Sequence, residues 1–139
     1  MKELEIYIDG ASKGNPGPSG IGAVISQAGV VVKNISSFIG NATNNIAEYT
    51  ALIYALEEAA ALKAESLKIK TDSQLLARQL NKIYKVKNAN ISGLYDQAVF
   101  LISSFKEVSI ENIPREENQS ADRLATEAVK KELSKKVLL

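Results

Sequence analysis

Residues 4–9 (LEIYID) alternate, with Leu4, Ile6 and Ile8 on one side and Glu5, Tyr7 and Asp9 on the other. A period of two marks a strand with one face toward a core. Residues 66–71 (SLKIKT) alternate in the same way. Residues 21–28 and 30–39 are rich in Val and Ile around Ala28-Gly29 and read as a hairpin. Residues 107–113 (EVSIENI) read as a strand ended by Pro114. Helical spacing predicts helices over 45–63, 73–82, 91–105 and 117–133. Residues 10–20 (GASKGNPGPSG) hold four of the eight glycines and two of the three prolines, and read as a loop. Residues 83–90 (IYKVKNAN) read as a basic loop, and 134–139 as a C-terminal tail. The order β-β-β-α-β-α-α-β-α predicts an α/β domain over 1–133, a mixed sheet covered by helices. In such sheets ligands gather at the carboxyl ends of parallel strands.

Composition changes the picture mainly by exclusion. The 139 residues contain no Cys and no His. Thiolate chemistry, zinc fingers, iron–sulfur clusters and a Ser-His-Asp triad are therefore excluded. A metal would be held by oxygen, which favours Mg²⁺, Mn²⁺ or Ca²⁺. The net charge of +1 means that a polyanion must be met by a local patch. No apolar run approaches the ~20 residues of a membrane span, and MKELEIYID carries charge where a signal peptide needs its apolar region. A cytoplasmic protein with no membrane partner, and a monomer, is expected.

The candidate chemistry lies in carboxylates at element ends. Asp9 ends one strand and Asp72 follows another, each in register with the polar side of its alternation. Parallel neighbouring strands would bring both out at one edge. Alternatively, Asp9-Gly10 is a turn dipeptide and Asp72 an N-cap. Glu48 precedes Ala51, Leu52, Ala55 and Leu56 and so heads the apolar stripe of its helix, where an unpaired carboxylate is costly. The alternative is a capping box from Asn45 to Glu48. Asp122 borders the stripe of the last helix, or serves its N-terminal dipole. Four such carboxylates converging on one spot would repel one another, and a divalent metal pair would remove that penalty.

The strings YIDGASKGNPGPSGIG, ATNNIAEYTALIYAL, KTDSQLLARQLN and IPREENQSADRLATEA, in this order and spacing, resemble those of type 1 ribonuclease H across residues 4–130. The resemblance is to the short branch of that family. It implies a five-stranded mixed sheet, with three antiparallel strands followed by two parallel ones, flanked by helices. It also implies a metal-dependent endonuclease that hydrolyses the RNA strand of RNA–DNA hybrids, leaving 3′-hydroxyl and 5′-phosphate ends. Asp9, Glu48, Asp72 and Asp122 would hold two Mg²⁺ ions, with Mn²⁺ as a substitute. Asp9 would bridge both ions; Glu48 and Asp72 would serve the leaving-group side, and Asp122 the attacking water. Ser12, Asn44, Asn45 and Gln74 match positions that touch RNA 2′-hydroxyls or minor-groove edges, and Asn15 and Thr43 match positions at DNA-strand phosphates. Double-stranded RNA stays open as a second substrate.

The chain departs from larger relatives in two places. They carry a His-bearing loop before the last Asp, whereas here IPREENQSAD is short and offers only Arg115 as a charged donor to the scissile phosphate. They also carry a long basic protrusion with several tryptophans. Here Lys82, Tyr84, Lys85 and Lys87 form a reduced version, with lysines for backbone phosphates and a tyrosine for stacking. Arg115 and Tyr84 could equally be a solvated arginine and a ring packed on a neighbouring helix. A hybrid-binding module without catalysis is the main competing function, and four acidic groups facing a polyanion argue against it. The TNN and DSQ strings argue against another nuclease or integrase of the superfamily. An actin-like ATPase needs two such domains, and GASKGNPG does not fit a P-loop.

Overall fold

The computed structural model describes residues 2–137. Five strands, β1 (Glu3–Ser12), β2 (Gly17–Gln27), β3 (Val30–Ala42), β4 (Ser66–Thr71) and β5 (Glu107–Asn112), form one sheet in the order β3-β2-β1-β4-β5. The β1–β2 and β2–β3 pairs are antiparallel, and β1–β4 and β4–β5 are parallel. Four helices accompany it: α1 (Asn44–Ala61), α2 (Gln74–Leu80), α3 (Ala89–Ile102) and α4 (Gln119–Val137). This is the ribonuclease H-like fold that the sequence led us to expect. No helix among the described residues is long and apolar enough to cross a membrane.

The alternation of β1 sets the layers. Leu4, Ile6 and Ile8 are fully buried, opposite Ile25 and Ala23 of β2 and beside Leu67 and Ile69 of β4. They join Leu52, Ala55, Leu56 and Ala59 of α1 in one apolar cluster. Each such Leu or Ile contributes roughly 1.5–3 kcal/mol of burial. The opposite face of β2 takes α4, and Ala121, Ala125, Ala128 and Val129 are its buried stripe.

Several boundaries differ from the sequence reading. Within 10–20, β1 continues to Ser12 and β2 begins at Gly17, because pairing persists to Ser12↔Ser19 and Lys13 N donates to Pro18 O at 2.8 Å. The Gly/Pro richness serves a short turn whose Asn15–Pro16 bond is cis. Helix α1 is capped by Thr43, whose Oγ1 accepts from Ile46 N at 3.2 Å, so the Asn45–Glu48 capping box is not formed. Ser73 rather than Asp72 caps α2. Asn88 Oδ1 accepts from Asn90 N at 2.8 Å and starts α3 earlier than expected. A 3₁₀ turn over Arg115–Glu117 precedes α4, which runs through Val137 into the segment expected as a tail. Residues 138–139 lie outside the described residues.

Candidate active site

The parallel register Ile8↔Thr71 makes Asp9 and Asp72 step off adjacent strands at the same edge and on the same face. Two close backbone approaches bring in the other carboxylates. At Gly10 a Cβ would lie 2.4 Å from Ala47 C and 2.5 Å from Glu48 N, so the absence of a side chain lets α1 lay Glu48 against the end of β1. At Gly22, opposite Asp9 in β2, a Cβ would lie 2.2 Å from Ala121 O, so α4 sits close enough to present Asp122. Carboxylate oxygens of Asp9, Glu48 and Asp72 all lie within 4.8 Å of one another. Asp122 meets the Asp9 carboxyl from the first turn of α4.

This crowding shows in the proton affinities. Burial, then the charge of Glu48, then the carboxyls of Asp122 and Asp72 push Asp9 up to about 10. Burial likewise raises Glu48 to about 8. Asp72 is also raised by burial, against the pull of the Asn118 hydrogen bond and the Arg115 charge. Glu48 Oε2 is buried without a hydrogen-bond partner. A self-repelling, all-oxygen cluster with an unpartnered buried carboxylate oxygen fits a hard divalent cation. The four carboxylates open into a cleft of about 820 Å³, whose walls include Ser12, Lys13, Asn44, Asn45 and Arg115.

A sequence profile described as reverse transcriptase-like matches residues 7–128. Ribonuclease HI of Halobacterium salinarum is 42% identical over 127 residues, 91% of this chain and 64% of its own length. The crystal structure of that archaeon's RNase H1 superposes with a TM-score of 0.90 at 38% identity, covering 93% of this chain and 98% of that one. The chain belongs to the ribonuclease H1 family. The bifunctional protein Rv2228c of Mycobacterium tuberculosis is 43% identical over 129 residues, 91% of this chain and 35% of its own length. The structure of its N-terminal RNase H domain gives a TM-score of 0.89 at 42% identity, covering 91% of this chain and 98% of that one. The chain thus spans about a third of this mycobacterial relative and just under two thirds of the halobacterial one. LC11-RNase H1, solved in complex with an RNA/DNA hybrid, superposes with a TM-score of 0.90 at 37% identity, covering 94% of this chain and 99% of that one.

Around the acidic cluster of this ribonuclease H1 homologue, the other residues singled out in the sequence divide into two groups. Ser12, Asn44, Asn45 and Arg115 line the cleft with the carboxylates. Ser12 Oγ donates to Ala42 O at 2.9 Å and also contacts Gly14 O, while Asn45 Oδ1 is buried without a partner. Asn15, Thr43, Gln74, Tyr84, Lys85 and Lys87 are not among the cleft's lining residues. Asn15 Oδ1 accepts from Asn44 N at 2.9 Å, and Thr43 caps α1. Gln74 is exposed in the first turn of α2. The Tyr84 ring lies 5.2 Å from the Arg78 guanidinium and its hydroxyl accepts from Arg78, which is packing against the neighbouring helix. Lys85 and Lys87 are exposed. The sequence reading missed Thr126, Val129, Lys130 and Leu133, which line the cleft from α4. It also missed Asn118, whose one sequence signal is its place four residues before Asp122.

Proposed function

We propose that this chain hydrolyses the RNA strand of RNA–DNA hybrids and leaves 3′-hydroxyl and 5′-phosphate ends. The observation that carries the reading is the convergence of Asp9, Glu48 and Asp72 within 4.8 Å at the mouth of an open cleft, with Asp122 against Asp9. Asp9, Glu48, Asp72 and Asp122 would hold two Mg²⁺ ions, or Mn²⁺ in their place. Bound there, the ions would offset the negative charge of carboxylates and phosphodiester and polarise the attacking water and the leaving oxygen.

The chain's own residues select and orient the substrate. Asn44 and Asn45 offer short amides to a wide, shallow minor groove, where 2′-hydroxyls are displayed. Asn44, exposed in the wall of the cleft, offers its amide to such a hydroxyl, and a DNA duplex has none to give. Ser12 and Gln74 extend this recognition of the RNA strand. Thr43 accepts from Ile46 N and keeps its O–H to donate, and Asn15 keeps its NH₂. Both donors suit DNA-strand phosphates. Arg115, beside Asp72 in the cleft, donates a charge-assisted bond to the scissile phosphate. Lys85 and Lys87, with Tyr84 on Arg78, add a small basic contact with the backbone. Water attacks phosphorus, the bond to the 3′-oxygen breaks, and that oxygen leaves as a hydroxyl. One chain lines the whole cleft, so the protein acts as a monomer.

The test is incubation with Mg²⁺ of labelled RNA–DNA hybrid, single-stranded RNA, double-stranded RNA and double-stranded DNA. Cutting confined to the RNA strand of the hybrid, with or without slower cutting of double-stranded RNA, is expected. Equal cutting of single-stranded RNA or of DNA would contradict the proposed recognition.

A further inference from the structure

Asn118 lies between the 3₁₀ turn and α4 and is 1% exposed. Its Nδ2 donates to Ile8 O at 2.8 Å and to Asp72 Oδ2 at 3.4 Å. Both partners are acceptors, so this orientation of the amide is fixed by its neighbours. Its main-chain O accepts from Asp122 N at 3.1 Å and so begins α4. One residue therefore ties the backbone just before Asp9, the carboxylate of Asp72 and the helix turn that carries Asp122. Its Oδ1 is buried with no partner. An apolar residue would not carry that penalty, so Asn118 is a poor choice for stability alone and a good one for orientation.

We propose that Asn118 is a positioning residue of the metal site, which fixes the Asp72 carboxylate and holds the end of β1 and the start of α4 at the spacing the four carboxylates need. The proposal rests on the metal-site reading above. It assigns Asn118 no contact with substrate. Partners just outside a set of ligands orient them, and their loss typically weakens metal affinity by about 10–100-fold.

The test uses Asn118→Ser and Asn118→Ala. Serine is a good residue at a helix start, so the first variant preserves the beginning of α4 while its shorter side chain cannot reach both Ile8 O and Asp72. Mn²⁺ and Mg²⁺ binding is measured by calorimetry and by metal-dependent rise in melting temperature, both without nucleic acid. Hybrid cleavage is then followed against metal concentration. For Asn118→Ser we expect a folded protein whose half-saturating metal concentration rises about 10–100-fold. Its KM for hybrid should be unchanged, and its kcat should recover as metal is raised. A folded Asn118→Ser that binds metal as the wild type does would overturn the proposal, as would a raised KM with unchanged metal affinity. If Asn118→Ala does not fold, the serine variant decides. A wild type that binds neither ion would remove the metal-site reading itself, and this inference with it.

Discussion

Asp9→Asn is expected to destroy activity and yet stabilise the metal-free protein. Asp9 is 5% exposed, and its carboxyl is held up to about 10 from an ordinary value of 3.8 by burial and by three neighbouring carboxylates. Below pH ~4 both folded and unfolded chains are protonated at this residue, and it contributes no pH dependence. As pH rises, the unfolded chain ionises and the folded one does not, so the folded state binds more protons and stability falls until the folded value is passed. Roughly three pH units separate the ordinary value from neutrality, which places the penalty at about 4 kcal/mol at pH 7 and about 1.6 kcal/mol at pH 5. Asparagine has nearly the same shape, never ionises, and can donate to Glu48 or Asp122. In chelator at pH 7 the variant should therefore melt about 12–20 °C higher, at ~3–5 °C per kcal/mol for a domain of this size. The gain should shrink toward pH 4, and excess Mg²⁺ should erase it by stabilising the wild type alone. Thermal unfolding of both proteins from pH 4 to 8, with chelator and with Mg²⁺, is the assay. A variant less stable than the wild type at pH 7 in chelator, or a difference that does not change with pH, would refute the reasoning.

Further outcomes follow from the same geometry. With Asp9 and Glu48 carrying protons at pH 7, Mg²⁺ binding should release protons; calorimetry in two buffers of different ionisation enthalpy should give different heats, and identical heats would contradict the proton affinities. Gly22→Ala would place a methyl 2.2 Å from Ala121 O and should cost about 1–3 kcal/mol in urea unfolding while lowering activity, because α4 and Asp122 must move. Arg115→Ala should lower kcat on hybrid with melting temperature unchanged, and unaltered turnover would dismiss its role at the phosphate. Hybrid affinity should be modest, with a log–log salt slope of about −3 or shallower, since the basic loop is short; a much steeper slope would mean phosphate contacts beyond those named.

Much of this was legible in the sequence where one periodicity carried the information. The alternation of LEIYID and SLKIKT put Asp9 and Asp72 on matching faces, and the parallel register then placed them together. Glu48 at the head of an apolar stripe signalled a carboxylate turned toward the sheet. Local rules failed where competing partners decide. Thr43, not Asn45, took the cap of α1, and Ser73, not Asp72, that of α2, because several adjacent side chains could serve and only the helix's docked position selects among them. Residues 10–20 looked like loop from composition, but pairing with Ser19 and Pro18 extends β1 to Ser12. Asn118 was invisible because its partners, Ile8 and Asp72, lie 110 and 46 positions away. The α4 wall of the cleft was hidden because Val129 reads as a core position from its stripe, and Thr126, Lys130 and Leu133 as its flank.

The most direct measurement is cleavage of an RNA–DNA hybrid labelled at the RNA 5′ end, in Mg²⁺, by the wild type and by Asp9→Asn, with the fragment ends identified. The account predicts internal cuts that leave 3′-hydroxyl and 5′-phosphate ends in the wild type, and none in the variant, although the variant is folded and still binds hybrid. A wild type that binds hybrid and cuts nothing in Mg²⁺ or Mn²⁺, or an Asp9→Asn variant that cuts as fast, would contradict it.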